Sequence, residues 1–416
     1  MDINKLLKGV KCECGRHHTC DIDYVFIEEN AILRLTDICK NYNSILLVAD
    51  QNTFAAAGSK TEAALCGKIA DRVIFSGKKI LVPNEDATNT VMAKNTDKDL
   101  IIGIGSGVIQ DLCKYVSFKS GIPYMVVATA PSMDGYASDG AAMILGGMKE
   151  TVKAGLPRAI IADTFVLADA PLDMIKAGYG DIIGKYSALN DWELSATING
   201  EYFCRYIYDL TLGEVLKTLN LADGLLKRNP QSVKALMEAL VVIGILMSFA
   251  GSSRPASGSE HHLSHFFEIT GIIDNTEYFA HGIDVGYSTV ITSKIRERLL
   301  ANPFPKKINR PDYKKAVKEI YTRVADGCLT LQEKVGNYDA NRLSVYLEKE
   351  AEIKSILRKV PTAAEIEKML GLVELNIDEF YNFYQDKKIK NAVNYAKDLK
   401  DRYTVLWLNY DLYGEV

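Results

Sequence analysis

The sequence predicts a two-domain protein, in which an α/β domain built on a parallel sheet with helices on both faces precedes an all-helical domain. Short apolar runs alternate with helix-like segments up to about residue 170, which is typical of repeated βα units. After Pro171 the apolar spacing is helical almost to the end of the chain. A chain of 416 residues also exceeds what one ordinary core accommodates. We therefore predict an α/β domain over residues 1–170 and a helical domain over residues 171–416.

The strands of the predicted sheet are short, mostly continuous apolar runs, as expected where both faces of a sheet are covered. They are predicted at residues 44–50, 72–76, 100–104, 122–128 and 159–162. Helices are predicted between them at 60–69, 89–95 and 107–119, and a hairpin with a Gly-Gly turn at 141–153. The later helices are predicted at 187–199, 233–250, 285–300, 314–335, 342–359 and 363–370.

Composition excludes several classes of function. A formal net charge of -4 argues against nucleic acid or an anionic membrane as the main partner. The longest apolar run, residues 239–250, is too short to cross a bilayer and indicates a buried helix, so no membrane insertion is expected. The N-terminus lacks an apolar signal core, and most of the eight cysteines are scattered through predicted helices and strands. Both features favour a cytoplasmic protein with reduced thiols.

One group of cysteines is clustered near the N-terminus. Cys12, Cys14, His17, His18 and Cys20 offer metal-ligand chemistry, and a zinc knuckle is one interpretation. Their spacing contains no CxxC pair and does not match a closed four-ligand site. We therefore predict a strand that happens to carry thiols rather than a zinc site.

The segment 257–268, SGSEHHLSHFFE, predicts a helix that carries three of the six histidines. A serine followed three residues later by a glutamate predicts a capping box at its start. His261, His265 and Glu268 then share one face, and His262 points aside. Two histidines one turn apart can reach one metal ion, or one can bind it while the other handles a proton. By itself the spacing also fits, and more often means, an amphipathic helix with core histidines.

Small residues follow the third predicted strand at the point where it turns into a helix. Backbone N–H groups of Gly105, Ser106 and Gly107 could approach a pyrophosphate there, and the helix dipole would favour its charge. No third glycine follows in register, and Asp50, a candidate ribose ligand, ends an earlier strand. The segment indicates phosphate binding, although a tight βα turn that needs glycine is the alternative.

A polar loop, residues 129–138, follows the next predicted strand. It offers hydroxyls at Thr129, Ser132 and Ser138 and a carboxylate at Asp134. Ligands of open parallel sheets bind outside the carboxyl ends of the strands. Because two such loops follow neighbouring strands, we interpret this edge as a ligand site rather than as an ordinary surface.

A second set of candidate ligands lies in the predicted helical domain. Residues 178–181, GYGD, are predicted to introduce a helix, with Lys185 one turn after Asp181; by itself Asp181 would only stabilise the helix start. His281 precedes the helix predicted from residue 285 and could equally cap it. Asp181, His261 and His281 would form a carboxylate and two-imidazole set with open coordination positions, which is typical of a catalytic metal.

Taken together, the motifs SGSEHHLSH, GYGD, HGIDVG, GSGVIQD and TAPSMDGYAS resemble those of the sn-glycerol-1-phosphate dehydrogenase family. That family belongs to a wider group of iron-alcohol-dehydrogenase-like, glycerol-dehydrogenase-like and dehydroquinate-synthase-like enzymes. The resemblance extends over about residues 10 to 300. It implies a dehydroquinate-synthase-like fold, NAD or NADP on the α/β domain, a divalent metal on the helical domain and a homodimer.

The resemblance also implies roles for individual residues. Asp181, His261 and His281 would hold zinc, nickel or iron, and His265 and Asp134 would act beside the substrate together with Asp181. The dinucleotide would be surrounded by Asp50, Gly105, Ser106, Gly107, Asp111, Thr129, Ser132 and Ser138. The family often has glycine where Ser106 stands, and serine fits there if its φ is negative.

The implied reaction is the reversible NAD(P)H-dependent reduction of dihydroxyacetone phosphate to sn-glycerol 1-phosphate, an oxidoreductase step of phospholipid biosynthesis. Lys185 and Arg254 are candidates to meet the substrate phosphate. A glycerol dehydrogenase or a carbocycle-forming, dehydroquinate-synthase-like enzyme on the same scaffold is the main alternative, because the latter group also uses the pattern of His261, His265 and Glu268. From residue chemistry alone, a non-haem iron oxygenase and a non-catalytic nucleotide-binding protein are further alternatives.

Overall fold

A computed structural model describes residues 2–78, 81–307 and 312–415. The chain divides into two compact units, which are described separately. The first unit comprises Met1–Gly178 and Lys217–Ser253, and the second comprises Tyr179–Leu216 and Arg254–Val416. The units are defined by spatial proximity, and the domain boundary near residue 170 stays a prediction.

The first unit is built on a six-stranded sheet that is parallel throughout, in the order β3-β10-β7-β6-β4-β5. Two antiparallel hairpins, β1-β2 and β8-β9, accompany it. The strands are β1 Val10–Lys11, β2 His17–His18, β3 Tyr24–Glu28, β4 Ile45–Asp50, β5 Ile69–Phe75, β6 Leu100–Gly105, β7 Tyr124–Ala128, β8 Gly140–Leu145, β9 Met148–Lys153 and β10 Ala159–Asp163.

Both faces of the sheet are buried, which explains the continuous apolar runs. Along β4, Ile45 and Leu47 belong to a core cluster on one face, and Leu46 and Val48 belong to a cluster on the other. Successive side chains of a strand point to opposite faces of the sheet. When both faces are covered, every side chain of the strand is buried, so apolar residues do not alternate with polar ones. The predicted fold class is confirmed.

Four of the helices in the first unit lie between successive strands along the chain, and the others precede or follow the strands. The helices of this unit are α1 Ile3–Leu7, α2 Leu35–Ile38, α3 Gln51–Leu65, α4 Glu85–Lys94, α5 Gly107–Ser120, α6 Thr164–Ala168, α9 Ala222–Leu226 and α10 Pro230–Ala250. Short 3-10 helices lie at Ala31–Arg34, Gly135–Ala137 and Leu219–Leu221. The α7 helix, Leu172–Asn199, begins in this unit and continues into the second.

The prediction of a helix over residues 60–69 was wrong at both ends. The α3 helix begins at Gln51, because the Asp50 carboxylate accepts hydrogen bonds from the N–H groups of Asn52 and Thr53 and completes a capping box. It ends at Leu65, where Cys66 adopts a left-handed φ of 48°. Residues from Ile69 onward form β5.

The predicted hairpin with a Gly-Gly turn is confirmed. β8 and β9 pair antiparallel, with Leu145 opposite Met148. Gly146 and Gly147 between them have φ values of 57° and 80°. Two consecutive residues with positive φ match a type I′ turn, which suits the twist of a two-residue hairpin.

The α10 helix is longer than the apolar run seen in the sequence. It has 21 residues, and its most apolar window has a mean hydropathy of 2.0, so its length and composition alone would allow it to cross a bilayer. However, 78% of that window is buried inside the protein. The prediction of a buried core helix is confirmed.

Within the described residues, the second unit contains helices and no strand. Besides the later part of α7 and most of α8 Arg205–Thr218, its helices are α11 Ser259–Asp274, α12 His281–Ala301, α13 Tyr313–Tyr321, α14 Ala325–Val335, α15 Leu343–Glu348, α16 Glu350–Leu357, α17 Ala363–Gly371, α18 Ile377–Tyr395 and α19 Val405–Tyr413. Short 3-10 helices lie at Thr322–Val324 and Ala396–Leu399. The all-helical prediction is confirmed for these residues.

Candidate functional site

Asp181 lies in the middle of the long helix α7, and the prediction that GYGD begins a helix was wrong. The glycines serve close packing instead. A Cβ atom on Gly180 would lie 2.4 Å from the carbonyl oxygen of Gly282, and one on Gly184 would lie 2.5 Å from Val285. Glycine at these positions lets α7 approach the start of α12, where His281 lies.

The α11 helix begins at Ser259, with Gly258 as its N-cap and no side-chain cap. The predicted capping box was therefore wrong. Buried carboxylates bind the donors of this helix start: Asp191 accepts from the N–H of Ser259 at 2.6 Å, and Glu260 accepts from the N–H of Gly258 at 2.8 Å. Because Asp191 comes from α7, packing within the unit supplies what a local serine was expected to supply.

Asp181, His261 and His281 come together in the second unit. One ligand atom from each of the three residues lies within 4.8 Å of the other two. The Nε2 atom of His261 is 3.5 Å from Oδ1 of Asp181, and the His261 and His281 ring centroids are 5.1 Å apart. Asp181 and His261 are buried, and His281 is half-buried. One carboxylate and two imidazoles, converging from α7, α11 and α12, suit a divalent transition metal.

Both imidazoles have their Nδ1 atom beside an oxygen atom. His261 Nδ1 is 2.7 Å from Oε1 of Glu260, and His281 Nδ1 is 3.3 Å from Oγ of Ser264. A tautomer that donates from Nδ1 leaves the lone pair of Nε2 for a metal, and such partners fix the ring orientation of metal-binding histidines. Glu260, which the sequence suggested only as a capping residue, is thus a supporting residue of the cluster.

Buried charges balance one another around the cluster. Burial raises the pKa of Asp181, but the Lys185 ammonium and the two imidazoles outweigh it, so the pKa of Asp181 lies well below its usual range. Burial and Lys185 lower the pKa of His261, whereas Asp181 and Glu260 raise it by more, and the net shift is upward. Asp181 is therefore charged in the metal-free site, and the carboxylates of Asp181 and Glu260 favour positive charge on the His261 ring.

The other two histidines of α11, His262 and His265, differ in their surroundings. The His265 ring lies beside the cluster, with its centroid 6.2 Å from that of His261 and 5.6 Å from that of His281. His262 is fully buried, and neither of its ring nitrogens has a hydrogen-bond partner within the described residues. Burial, reinforced by the positive charge of Arg402, holds the pKa of His262 well below its usual value. His262 is thus a neutral core residue outside the cluster.

The basic residues that were candidates for a phosphate have other partners. Lys185 Nζ donates to Oδ1 of Asp181 at 2.7 Å and to the carbonyl of Ala256 at 3.0 Å. Arg254 Nε donates to Glu201 at 2.6 Å, and its Nη1 donates to the carbonyl of Tyr403 at 2.9 Å. These contacts give both side chains a supporting role inside the second unit.

In the first unit, the turn from β6 into α5 has the shape that the sequence suggested. Ser106 is the N-cap of α5 with a φ of -114°, so serine fits there without strain. A Cβ atom on Gly105 would lie 2.7 Å from Cβ of Ile109, whereas one on Gly107 would lie no closer than 3.6 Å to Met133. Gly105 is therefore required for close packing of the strand against its helix.

The polar loop after β7 begins beside this turn. The N–H of Thr129 donates to the carbonyl of Gly105 at 3.2 Å. Thr129, Ser132, Asp134 and Ser138 all have less than a tenth of their surface exposed. The structure thus brings the glycine turn and the polar loop to the same edge of the sheet, as the sequence predicted for neighbouring parallel strands.

A buried lysine that the sequence reading missed binds this loop from α5. Lys114 is fully buried, and its Nζ donates to the carbonyls of Gly140 at 2.7 Å and Gly135 at 3.2 Å and lies 3.4 Å from Oγ of Ser138. Burial lowers the pKa of Lys114 although Asp111 opposes the shift. A lysine inside the otherwise apolar run of residues 112–116 was the available signal.

Two predicted dinucleotide ligands have structural partners. Oδ1 of Asp111 is 3.6 Å from Nζ of Lys114, and burial raises the pKa of Asp111. Asp50 caps α3 from the carboxyl end of β4, which neighbours β6 in the sheet. A role of either carboxylate toward a dinucleotide stays a prediction.

Comparisons with known proteins agree with this arrangement. A sequence profile of iron-containing alcohol dehydrogenases matches residues 26–171. The iron-containing alcohol dehydrogenase of Thermococcus thioreducens superposes with a TM-score of 0.59 at 12% identity, covering 96% of this chain and 94% of that one. Glycerol dehydrogenase of Schizosaccharomyces pombe gives a TM-score of 0.53 at 17% identity, with coverages of 87% and 91%. The fold is that of the iron-containing alcohol dehydrogenases and glycerol dehydrogenases.

Curated relatives identify the family more closely. The glycerol-1-phosphate dehydrogenase (NAD(P)+) of Halalkalibacterium halodurans is 35% identical over 306 residues, which cover 70% of this chain and 77% of that protein. The protein of the same name from Bacillus licheniformis is 29% identical over 418 residues, covering 97% and 94%. The protein from Sulfurisphaera tokodaii is 38% identical over 261 residues, covering 61% and 71%. The chain belongs to the glycerol-1-phosphate dehydrogenase family, as the motifs predicted.

Proposed function

We propose that this chain is a metal-dependent oxidoreductase that reversibly reduces dihydroxyacetone phosphate to sn-glycerol 1-phosphate with NADH or NADPH. The observation that carries the proposal is the convergence of Asp181, His261 and His281 in a chain of the glycerol-1-phosphate dehydrogenase family. The glycine turn and the polar loop on the α/β unit supply the second requirement, which is a surface suited to a dinucleotide.

The divalent metal, zinc, nickel or iron, would be held by Asp181, His261 and His281. The residues present fit such an ion, because Glu260 and Ser264 sit beside the Nδ1 atoms and favour imidazoles that present Nε2. When bound, the metal supplies Lewis-acid polarisation of the substrate carbonyl. Lys185 holds Oδ1 of Asp181 and keeps this carboxylate charged in its buried position.

The dinucleotide, which supplies the hydride, would bind at the carboxyl edge of the sheet. The backbone of Gly105, Ser106 and Gly107 would approach its pyrophosphate, with the start of α5 favouring the negative charge. Around it we place Thr129, Ser132, Ser138 and Asp111, with Asp50 toward the adenosine ribose. Lys114 would hold the polar loop in place through the carbonyls of Gly135 and Gly140.

His265 is the residue that we propose to deliver the proton taken up by the substrate oxygen. It lies on α11 one turn after His261, close to the cluster. General acid catalysis requires a titratable group that can come within hydrogen-bond reach of the reacting oxygen. We further propose that Asp134 accepts a hydrogen bond from a hydroxyl group of the substrate.

A glycerol dehydrogenase is the second candidate, because the fold resembles that of such an enzyme. A carbocycle-forming synthase is less favoured: its pattern would use Glu268, whereas the observed cluster combines Asp181 and His281 with His261. A non-haem iron oxygenase would not need the nucleotide-binding edge, and a non-catalytic nucleotide-binding protein would not need the metal cluster.

We also propose that the enzyme is a homodimer and that it lies in the cytoplasm. Its product, sn-glycerol 1-phosphate, would enter phospholipid biosynthesis. Light scattering on the purified protein tests the assembly, because a dimer has twice the 46.0 kDa mass of the chain. A mass equal to one chain would contradict it.

The reaction is tested by following NADH and NADPH absorbance with dihydroxyacetone phosphate. Chelator-treated enzyme is compared with enzyme refilled with zinc, nickel or iron, and unphosphorylated dihydroxyacetone serves as the control substrate. The proposal predicts metal-dependent loss of NAD(P)H and a product with the sn-1 configuration. Faster turnover of dihydroxyacetone would favour a glycerol dehydrogenase, and binding of the dinucleotide without its net consumption would favour a synthase.

A further inference from the structure

The N-terminal hairpin brings together three residues whose spacing in the sequence did not indicate a metal site. Cys12, Cys14 and His18 each offer a ligand atom within 4.8 Å of the other two. The Sγ atom of Cys14 is 3.4 Å from Nε2 of His18. A tight turn brings Cys14 close to His18. In this turn the N–H of Gly15 donates to the carbonyl of Cys12, and Gly15 has a φ of 86° that favours glycine.

The imidazole of His18 is oriented for binding a metal. Its Nδ1 lies 2.9 Å from the carbonyl oxygen of Phe249, and its ring stacks on that of Phe249 at 5.3 Å. Only 1% of His18 is exposed. Because a carbonyl oxygen can only accept, Nδ1 carries the proton, and Nε2, which faces Cys14, keeps the lone pair that a metal requires.

The neighbouring candidates do not share these features. Cys20 is buried and is not among the residues whose ligand atoms lie within 4.8 Å of one another. His17 is exposed, on the opposite side of its strand from His18. The structure thus selects three of the five residues that the sequence grouped together.

We propose that Cys12, Cys14 and His18 form a structural zinc site. Two thiolates and one imidazole are ligands that Zn²⁺ favours, and a further thiolate or a water molecule would complete a tetrahedron. The zinc ion would stabilise the turn of the N-terminal hairpin, and His18 would link this hairpin to the end of α10 through the carbonyl of Phe249. This site is separate from Asp181, His261 and His281, and it does not rest on the proposed function.

Metal content and zinc-edge X-ray absorption test the proposal on the full chain produced with zinc. The proposal predicts a shell of sulfur neighbours at about 2.3 Å from zinc in the unsubstituted protein. Cys14→Ser should hold one zinc ion per chain fewer than the unsubstituted protein and lose most of the sulfur signal. Cys66→Ser, at an exposed cysteine, is the matched control and should keep both. Equal zinc content and sulfur signal in all three proteins would overturn the proposal.

A second measurement needs no variant and therefore does not depend on folding of Cys14→Ser. Thiol alkylation is followed by peptide mass spectrometry on the unsubstituted protein, with zinc bound and after chelation. The proposal predicts that zinc slows alkylation of Cys12 and Cys14 at least tenfold and leaves that of Cys66 unchanged. Equal alkylation rates with and without zinc at Cys12 and Cys14 would overturn it.

Discussion

The two candidate binding regions of this protein are built from different parts of the chain. In the helical unit, the side chains of Asp181, His261 and His281 come from three helices and are supported by buried charged groups. At the sheet edge of the α/β unit, the main features are a backbone turn and glycines that allow close packing. The metal cluster should therefore depend on the chemical identity of its residues, whereas the sheet edge should depend on shape.

The largest effect is expected at the centre of the metal cluster. His261→Ala removes one of the three proposed ligands, so metal binding should be lost. Activity should fall by about a thousandfold, because loss of several kcal/mol of transition-state stabilisation corresponds to about three powers of ten. Metal analysis and NADH turnover measure both quantities.

His262→Ala is the control for this substitution, because it removes the next residue of the same helix. It leaves a cavity in the core, so a lower melting temperature is expected, but the metal content should remain. Full metal content and turnover in His261→Ala would contradict the assignment of His261 as a ligand.

A smaller effect is expected from the residue that orients His261. Glu260→Gln keeps the size of the side chain but removes the negative charge 2.7 Å from Nδ1. Metal affinity should fall by about 10- to 100-fold, as is typical for such supporting residues. Turnover at saturating metal should change much less. Glu268→Gln, on the same helix, is the control, and an equal loss of affinity in both variants would count against a special role of Glu260.

Shape rather than charge should decide the result at the sheet edge. Gly105→Ala introduces a Cβ atom 2.7 Å from Cβ of Ile109, and overpacking of this kind costs about 1–3 kcal/mol. We expect a roughly tenfold higher KM for the dinucleotide, because α5 must shift, with unchanged metal content. Gly213→Ala, in α8, is the control, since a Cβ atom there would have no heavy atom within 4 Å beyond its chain neighbours and the backbone of its own helix. The same KM change in both variants would refute this explanation.

The smallest expected difference between the two regions is in the pH dependence of binding. Asp181 and Glu260 raise the pKa of His261 in the metal-free protein despite burial. Below that pKa a proton occupies the nitrogen that the metal needs, so affinity should fall by at most tenfold per pH unit and level off above it. Isothermal titration calorimetry over a pH series measures this.

Glu260→Gln sharpens the pH experiment, because it removes one of the two carboxylates that raise the pKa of His261. The fall in metal affinity should then begin at a lower pH than in the unsubstituted protein. Dinucleotide affinity, measured in the same buffers, should not follow the pH profile of the metal. A metal affinity that is independent of pH would contradict the electrostatic description of the cluster.

Patterns that arise within one element were predictable from the sequence. The continuous apolar run of β4 reflects a strand covered on both faces, and the Gly146-Gly147 pair specifies its own turn. The candidate metal ligands could be named before the structure, because family motifs surround Asp181, His261 and His281 and the fold brings their ligand atoms together.

Features that depend on packing between distant segments were not predictable. Asp191 binds the start of α11 from another helix, which made the local capping-box prediction wrong. Glycine usually indicates a helix boundary, but Gly180 lies inside α7. Glycine is needed there because the start of α12 packs against it. The burial of Lys114 likewise results from contacts with the distant carbonyls of Gly135 and Gly140, which residue spacing does not encode.

The central claim is that a metal bound by Asp181, His261 and His281 serves the reduction of dihydroxyacetone phosphate. Anomalous diffraction at the zinc edge, on crystals that were stripped with chelator and resoaked in zinc, tests it most directly. We predict a peak about 2.0–2.2 Å from Nε2 of His261 and His281 and from a carboxylate oxygen of Asp181. The absence of a peak among these three residues, in crystals of zinc-dependent active enzyme, would contradict the claim.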